Sequence, residues 1–418
     1  MFGRGSGVGT AAAVLALAFA FTGCGSTTDS IGYNGPEGIH LRQLPRRPVM
    51  APFRELHTDA EIATKVSNWF TSLFHGDPNT AAIYFPIGAD QANVQDILHG
   101  AQVRTEGVGL AMMIAVQLDK REEFDRLWTY ATEVLEYKDA PKRGYFQSRC
   151  NEPNATTQPC DDPFGEQQMT MALIFAHDRW GSSTTIDYEK AAIGLLTVMR
   201  HKQDENGGVV DGVTDTFDAV AALPYDEPTD VAAALSSSSP SIVMPAYYDL
   251  WAYATDDPFW TRAASSSRAY WQRTAHPSTG LMPVRATFAG QPVPNWDNFL
   301  AESYRAQINM ALDQIWTLAE PDAWEVSEAN TLLAFFTMKG INSYGATFTL
   351  DGGAIDINRD NGLIAANGVT AMIATKLDRA DYIVKAWELG PPTGIPRYYS
   401  GILGLTSVLI LSGLYQVW

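Results

Sequence analysis

The chain has 418 residues, of which 46% are hydrophobic, 11% aromatic and 18% charged. That balance excludes intrinsic disorder for the bulk of the chain, because disordered segments combine low hydrophobicity with high charge. The formal net charge of −18 argues against nucleic acid as a partner, because a protein that binds a phosphate backbone needs a basic surface.

The N-terminus has the pattern of an export signal. Arg4 precedes an apolar run at residues 11–21, which is too short to span a bilayer but fits a secretory signal peptide. Residues 21–24 read FTGC and are similar to the bacterial lipobox, in which the cysteine is lipidated and begins the mature chain. We predict a lipoprotein signal peptide over 1–23 and lipidation at Cys24. The alternative is an ordinary signal peptide with an incidental cysteine.

Lipidation would place the protein in the bacterial cell envelope, anchored to a membrane through this lipid only. Residues 24–55 are rich in proline and glycine and aperiodic, so we predict a lipid-anchored flexible tether there. Export also favours a disulfide between Cys150 and Cys160, because disulfides persist outside the cytoplasm. Such a bridge would contribute roughly 3 kcal/mol through loop-closure entropy. Two free thiols are the alternative.

Residues 56–418 are predicted to form one helical domain. The first helix follows Thr58, which forms a capping box with Glu61, and Gly76 marks its end. Five more segments are amphipathic with one charged face: 122–137, 188–201, 258–272, 324–338 and 379–389. Six others are apolar on nearly every side: 106–118, 166–176, 241–253, 302–318, 361–375 and 398–414. Helices of the second kind are enclosed by protein.

The two kinds of helix alternate along the chain, which predicts an all-α (α/α)6 barrel with six inner and six outer helices. Each helix then buries its apolar surface on its neighbours. The inner helices would be mutually parallel, with all their N-termini at one face. A stacked solenoid is the alternative. Residues 284–288 are the one segment with a strand-like pattern.

Three carboxylates stand at the starts of enclosed segments, namely Glu106, Glu166 and Glu302. Acids in a first turn stabilise a helix by roughly 0.3–1 kcal/mol, which is the plain explanation. An enclosed, unpaired charge is nevertheless costly, so we expect a chemical role. Glycoside hydrolysis needs a protonated carboxyl and an ionised one across a cleft. Glu166 is expected to help keep Glu106 protonated, and Arg305, one turn after Glu302, to hold Glu302 ionised.

Several short motifs then follow one another in a familiar order. They read VRTEG at 103–107, FDRLW at 124–128, GYF at 144–146, SYR at 303–305, GLIA at 362–365 and RYY at 397–399. The series spans about residues 60–418 and resembles glycoside hydrolase family 8, within it most closely the reducing-end xylose-releasing exo-oligoxylanases. The resemblance implies an (α/α)6 barrel, inverting hydrolysis and no cofactor.

The resemblance also implies roles for the three carboxylates. Glu106 matches the general acid of the family, and Glu166 matches an acidic position that contacts sugar at the cleavage subsite. Glu302 stands where the catalytic base of the family is normally Asp. Asp297 and Asp313 are nearby alternatives for the base, although Asp313 lies about three turns into its helix.

Further matching residues are expected to bind substrate. Arg305, Tyr398 and Tyr399 correspond to residues that line the cleavage subsite, and Tyr145 belongs to the matching GYF motif. Ser148 stands where related sequences have a tryptophan.

We therefore expect a glycosidase that cleaves β-1,4-linked oligosaccharides or polysaccharides, with xylo-oligosaccharides as first choice. One alternative is a carbohydrate-binding envelope lipoprotein with lost or weakened turnover. Another is an endo-β-1,4-glucanase or an exopolysaccharide-trimming enzyme. No metal site is expected, because no two of the seven histidines lie four residues apart.

Overall fold

The structure is a computed structural model that describes residues 40–150, 163–182, 185–317, 320–376 and 378–418. Within these residues no helix has both the length and the apolar character needed to cross a membrane. The predicted signal peptide, Cys24, Cys160 and the first part of the tether lie outside them, and of Cys150 the structure describes the backbone alone. Lipidation and the disulfide therefore stay predictions.

The last part of the predicted tether packs against the folded domain. Leu41 and Leu44 are buried, and their amide groups donate to the carboxylates of Glu189 and Asp178 at 2.7 and 2.9 Å. The short helix α1 (Phe53–Leu56) begins with a fully buried side chain. The prediction of a flexible segment is therefore wrong for residues 40–55. Its few apolar anchors are spaced irregularly among prolines, so they produce no helical or strand period.

Within the residues that the structure describes, twelve helices form two concentric rings, and each predicted helix is observed. The outer ring consists of α2 (Asp59–His75), α4 (Arg121–Tyr130), α6 (Tyr188–Asn206), α9 (Pro258–Thr274), α11 (Ala323–Lys339) and α13 (Arg379–Glu388). The inner ring consists of α3 (Thr105–Gln117), α5 (Pro163–Trp180), α8 (Pro245–Thr255), α10 (Tyr304–Trp316), α12 (Asn361–Thr370) and α14 (Tyr399–Leu411). A short helix, α7 (Asp230–Leu235), lies in a connection between the rings.

Burial explains which helices are inside. Every residue of α3 is buried, whereas α2 buries one stripe that includes Ile62, Val66 and Trp69. The predicted capping box at the start of α2 is present, with both reciprocal hydrogen bonds between Thr58 and Glu61.

The inner ring closes on itself. Helix α3 packs against α5 and α14, and α10 packs against α8 and α12. Hydrogen bonds join α8 to α5, from Tyr247 Oη to Gln168 Oε1 at 2.8 Å and from Tyr248 Oη to Gln167 Oε1 at 2.6 Å. Because α14 returns to α3, the fold is the predicted (α/α)6 barrel rather than a solenoid. In this ring α3 and α10 are opposite one another.

Connections at the two ends of the barrel differ greatly in length. An inner helix passes to the outer helix that follows it through a short segment, such as 118–120 or 256–257. Most outer helices return to the inner ring through a long one, such as 76–104, 207–244 or 275–300, whereas α13 reaches α14 through the shorter segment 389–398. We call the end with the long connections the rim and the opposite end the base. The N-termini of all inner helices lie at the rim.

In the described part of the chain, three small antiparallel sheets join neighbouring rim connections. The first contains β1 (Tyr84–Ile87), β2 (Gln91–Asp96), β3 (Gln102–Arg104) and β4 (Arg149–Cys150), with Tyr84 opposite Val94. The second pairs β5 (Ser237–Ser238) with β6 (Ala286–Thr287). Strand β6 lies within the segment 284–288 that was predicted to be strand-like. The third contains β7 (Asn298–Phe299), β8 (Thr347–Thr349) and β9 (Ala354–Asp356), with Phe299 opposite Phe348.

Candidate active site

Glu106 lies in the first turn of α3, at the rim, and its side chain is buried. Its carboxylate Oε2 is 2.9 Å from Nη1 of Arg305, which lies in the first turn of α10 and is also buried. Helices α3 and α10 are opposite members of the ring, so this ion pair crosses the barrel axis. The predicted acid and the predicted subsite arginine are therefore in direct contact.

This partnership was not predicted. The spacing of three residues led us to expect that Arg305 would hold Glu302 ionised, and that stays a prediction; the ion pair that the structure describes for Arg305 is with Glu106. The guanidinium group also lies 4.2 Å from the ring centroid of Phe164, in the first turn of α5. Three inner helices thus meet at one arginine. A neighbouring cation favours the ionised form of a carboxyl group, whereas a general acid must carry a proton.

Glu302 lies in a 3-10 turn, Ala301–Ser303, immediately before α10. It is exposed, in contrast to Glu106 and Glu166. Tyr399 lies near both Glu302 and the buried pair of Glu106 and Arg305. The hydroxyl of Tyr399 donates to the carbonyl of Ala301, in the turn that carries Glu302, at 2.8 Å. Removal from water raises the pKa of Tyr399, the positive charge of Arg305 lowers it, and the charges of Glu106 and Glu302 raise it further. The electrostatic surroundings of one side chain therefore include both predicted catalytic carboxylates.

Glu166 lies in the first part of α5 and is buried. Its Oε1 accepts a hydrogen bond from the backbone N–H of Phe146 at 3.0 Å. Helices α3 and α5 pack closely beside it, because a side chain at Gly165 would come within 2.4–2.6 Å of Thr105. This contact makes the starts of α3 and α5, which carry Glu106 and Glu166, direct neighbours.

The tyrosines predicted to bind substrate lie in two different places. Tyr398 is buried beside the start of α3, where a Cβ on Gly107 would lie 2.8 Å from its ring, so glycine is needed next to Glu106. Tyr145 is fully buried, and its hydroxyl donates to the carbonyl of Thr214 at 2.8 Å. Because Tyr145 has no solvent-accessible surface, it does not line the rim, which corrects its predicted contact with substrate.

Other acids at the rim support the fold or surround the site. Asp360 caps α12 by accepting from Gly362 N at 2.6 Å. Burial raises the pKa of Tyr304, and the charges of Asp360, Glu302 and Asp356 raise it as well. The alternative base Asp313 lies at the other end of α10, with no exposed side-chain surface, and is bound to Arg268. It is remote from the rim, as its position in the helix predicts.

Comparisons with known proteins agree with this geometry. Residues 89–412 match the model of glycosyl hydrolases family 8. The chain belongs to this family. It is 32% identical over 378 residues to the reducing-end xylose-releasing exo-oligoxylanase of Paenibacillus barcinonensis, covering 87% of this chain and 95% of the relative. The corresponding enzyme of Halalkalibacterium halodurans is 31% identical over 377 residues, which is 88% of this chain and 93% of the relative.

Solved structures show the same relationship. A family 8 protein from Teredinibacter turnerae in complex with xylobiose superimposes with a TM-score of 0.83 at 31% identity, covering 88% of this chain and 98% of the other. The Paenibacillus barcinonensis enzyme in complex with xylose gives 0.80 at 31% identity, covering 88% and 97%. As a member of family 8, the chain is a glycosidase that hydrolyses O-glycosyl bonds.

Sequence reasoning missed some features of this family 8 site. Phe164 precedes Glu166 by two residues, and its position next to Glu166 could have identified it as part of the site. The partnership of Arg305 with Glu106 had no local signal, because the two residues are 199 positions apart. The buried Asp226, which pairs with Arg285 at 2.9 Å in the rim connections, was also missed because neither residue belongs to a recognisable motif.

Proposed function

We propose that this chain hydrolyses β-1,4-linked xylo-oligosaccharides with inversion at the anomeric carbon. The proposal is supported by one observation above all: Glu106 and Arg305 meet across the barrel axis at 2.9 Å, one turn from Glu302. The names of the similar proteins, which refer to xylose release and xylobiose, support xylose as the sugar.

In the proposed reaction Glu106 acts as the general acid and Glu302 as the general base. The protonated carboxyl group of Glu106 donates its proton to the glycosidic oxygen as that oxygen leaves the anomeric carbon. Glu302 removes a proton from a water molecule that attacks the same carbon from the opposite face. The water adds its oxygen to the sugar, so one bond is broken and one is formed. Exposure of Glu302 agrees with the base role, because an inverting base must reach a water.

The ion pair imposes a condition on this mechanism. An arginine beside Glu106 favours its ionised form, whereas a general acid must carry a proton. The pair must therefore open or be compensated when substrate binds. Glu166, at the start of the adjacent helix, is the carboxylate that we propose provides compensation and contacts the sugar. Tyr398 and Tyr399 form the wall around these groups.

Product analysis tests the function directly. A panel of xylo- and cello-oligosaccharides of defined length is incubated with the protein, and the products are followed by proton NMR from the first minutes. We expect release of the α-anomer from the β-linked xylose series, which identifies both the sugar and the inversion. Substrates reduced to the alditol at the reducing end distinguish exo from endo action. Turnover of the cellulose series alone would contradict the proposed sugar, and a β-anomer as first product would contradict the mechanism.

We also propose that the protein is exported and anchored in the bacterial cell envelope through a lipid on Cys24. The lipobox-like FTGC and the apolar run before it support this. Metabolic labelling with a radioactive fatty acid is expected to mark the wild type but not Cys24→Ala, which should appear in the soluble fraction. Equal labelling of both would exclude Cys24 as the lipid site.

A further inference from the structure

We propose that Trp296 is a sugar-stacking platform at the rim, forming a subsite for a sugar unit remote from the bond that is cleaved. The class of ligand, a β-1,4-linked oligosaccharide, rests on the proposed function. The existence of the subsite rests on the position, exposure and support of this side chain.

Trp296 lies in the rim connection 275–300, which leads from α9 into the turn that carries Glu302. Backbone hydrogen bonds shape this connection into a hairpin, from Val284 N to Asn298 O at 3.0 Å and from Arg285 N to Trp296 O at 3.1 Å. Trp296 and Glu302 are six positions apart in the chain. An extended chain covers at most about 3.6 Å per residue, so the two Cα atoms are within about 22 Å. An oligosaccharide of a few units can reach both.

Exposure distinguishes Trp296 from the other tryptophans. All eleven lie within the described residues, and Trp296 is the exposed one, with 43% of its surface accessible, while the others are buried or half-buried. A single exposed apolar side chain is not unusual in itself. What makes this one informative is that the residues beneath it hold it in place.

The support consists of charged groups that become progressively more buried. The guanidinium group of Arg285 lies 4.9 Å from the ring centroid of Trp296. Arg285 Nε is 2.9 Å from Asp226 Oδ2, which also accepts from Ser237 Oγ at 3.0 Å. Asp226 is 5% exposed. Since one face of the ring is covered by the guanidinium group, the opposite face remains for a ligand.

This arrangement suits a sugar ring. A flat aromatic face packs against the C–H face of a pyranose, and a preorganised side chain loses little conformational entropy on binding. Glu227 adds a polar group: its carboxylate contacts Arg285 Nη2 at 3.4 Å, and its side chain is 32% exposed. An accessible carboxylate oxygen beside an aromatic face can accept a hydrogen bond from a sugar hydroxyl.

Binding to the turnover-deficient Glu106→Gln protein tests the subsite. Calorimetric titration with xylohexaose and xylotriose is performed in this background with and without Trp296→Ala. Loss of the platform is expected to raise the Kd for xylohexaose about two- to tenfold, the range to which aromatic stacking energies convert, and to lower the preference for the longer ligand. Trp296→Phe should retain most of the affinity.

Tyr253→Ala is the matched control, because Tyr253 is an aromatic residue exposed to a similar degree, 46%, near the C-terminal end of α8 at the base. Its Kd values should equal those of the parent. If Trp296→Ala leaves the Kd and the length preference unchanged, or if neither ligand binds at all, the subsite is excluded. If binding depends on Trp296 but the wild type hydrolyses no xylo-oligosaccharide, the proposed function fails and the subsite stands.

Discussion

Two arginine–carboxylate pairs lie at opposite ends of α10, and they have different surroundings. At the rim, Arg305 reaches Glu106 across the barrel axis, close to Glu302 and Tyr399. At the base, Arg268 binds both oxygens of Asp313, at 2.6 and 2.7 Å.

The ion pair between Arg268 and Asp313 has further partners. Arg268 also contacts Asp249 at 2.5 Å, and Thr317 donates to Asp313 at 2.9 Å. Burial by itself lowers the pKa of Arg268, but the hydrogen bonds and charges of Asp313 and Asp249 together outweigh it and raise the pKa. Short connections lie at this end, and the side chain of Asp313 has no exposed surface. The same ion-pair chemistry therefore stabilises the fold at the base, whereas at the rim the long connections give it a site in which to act.

Removal of the rim carboxylate should give the largest functional effect. Glu106→Gln keeps a hydrogen-bond acceptor for Arg305 but cannot supply a proton, so kcat on xylo-oligosaccharides should fall about 100- to 10,000-fold. Initial rates measure the change. Glu55→Gln, at an exposed glutamate of α1, is the control and should retain the wild-type rate. A Glu106→Gln rate within twofold of wild type would exclude Glu106 as the acid.

Removal of Arg268, the arginine at the base of the barrel, should instead affect stability. Arg268→Met leaves Asp313 and Asp249 without their cation in a buried setting, which should lower the free energy of unfolding by about 3–5 kcal/mol. Urea denaturation measures this, and kcat of the folded variant should stay near that of the wild type. Arg262→Met, at an exposed position of the same helix, is the matched control. A decrease in the free energy of unfolding below about 1 kcal/mol would mean that the ion pair between Arg268 and Asp313 has no structural role.

A third buried carboxylate extends the comparison, because no ion pair joins it to a cation in the part of the chain that the structure describes. Glu328 of α11 is 7% exposed, and its Oε1 has no hydrogen-bond partner among the described residues. Burial raises the pKa of this group to about 7. The folded state then binds more protons than the unfolded state between about pH 4.5 and 7, so stability decreases as the pH rises through that window.

Glu328→Gln removes this titration. At pH 8 the variant should be more stable than the wild type by up to about 3 kcal/mol, and at pH 4 the two should be equal. Urea denaturation at pH 4, 6 and 8 measures the difference. Glu320→Gln, at an exposed site, should follow the wild type at every pH. Parallel pH curves for the wild type and Glu328→Gln would contradict the inferred protonation of Glu328.

The fold and the two ion pairs of α10 also show which features can be predicted from the sequence. The alternation of enclosed and amphipathic segments predicted the rings, because burial on all sides requires an apolar helix surface. Most strands were missed because segments of two to six residues, such as β4 and β5, show no sustained alternation and pair with distant connections. The position of Asp313 deep in its helix correctly predicted its distance from the rim. The ion pair of Arg305 with Glu106 was not predicted, since the local rule of three residues cannot account for a contact across the barrel axis.

Glu302 lies near the ion pair at the rim and is the proposed general base. Shortening its side chain should give the smallest change in kcat or stability among these predictions. Glu302→Asp retracts the carboxylate by about 1.5 Å. If the 3-10 turn before α10 positions the longer side chain for catalysis, kcat should fall about 10- to 100-fold, because small displacements of reacting groups have large costs. Glu302→Gln, which removes the general base, should give the lowest kcat and serves as the reference for complete loss of this group. A Glu302→Asp variant faster than the wild type would show instead that the extra methylene impairs turnover, and that this turn does not compensate for it.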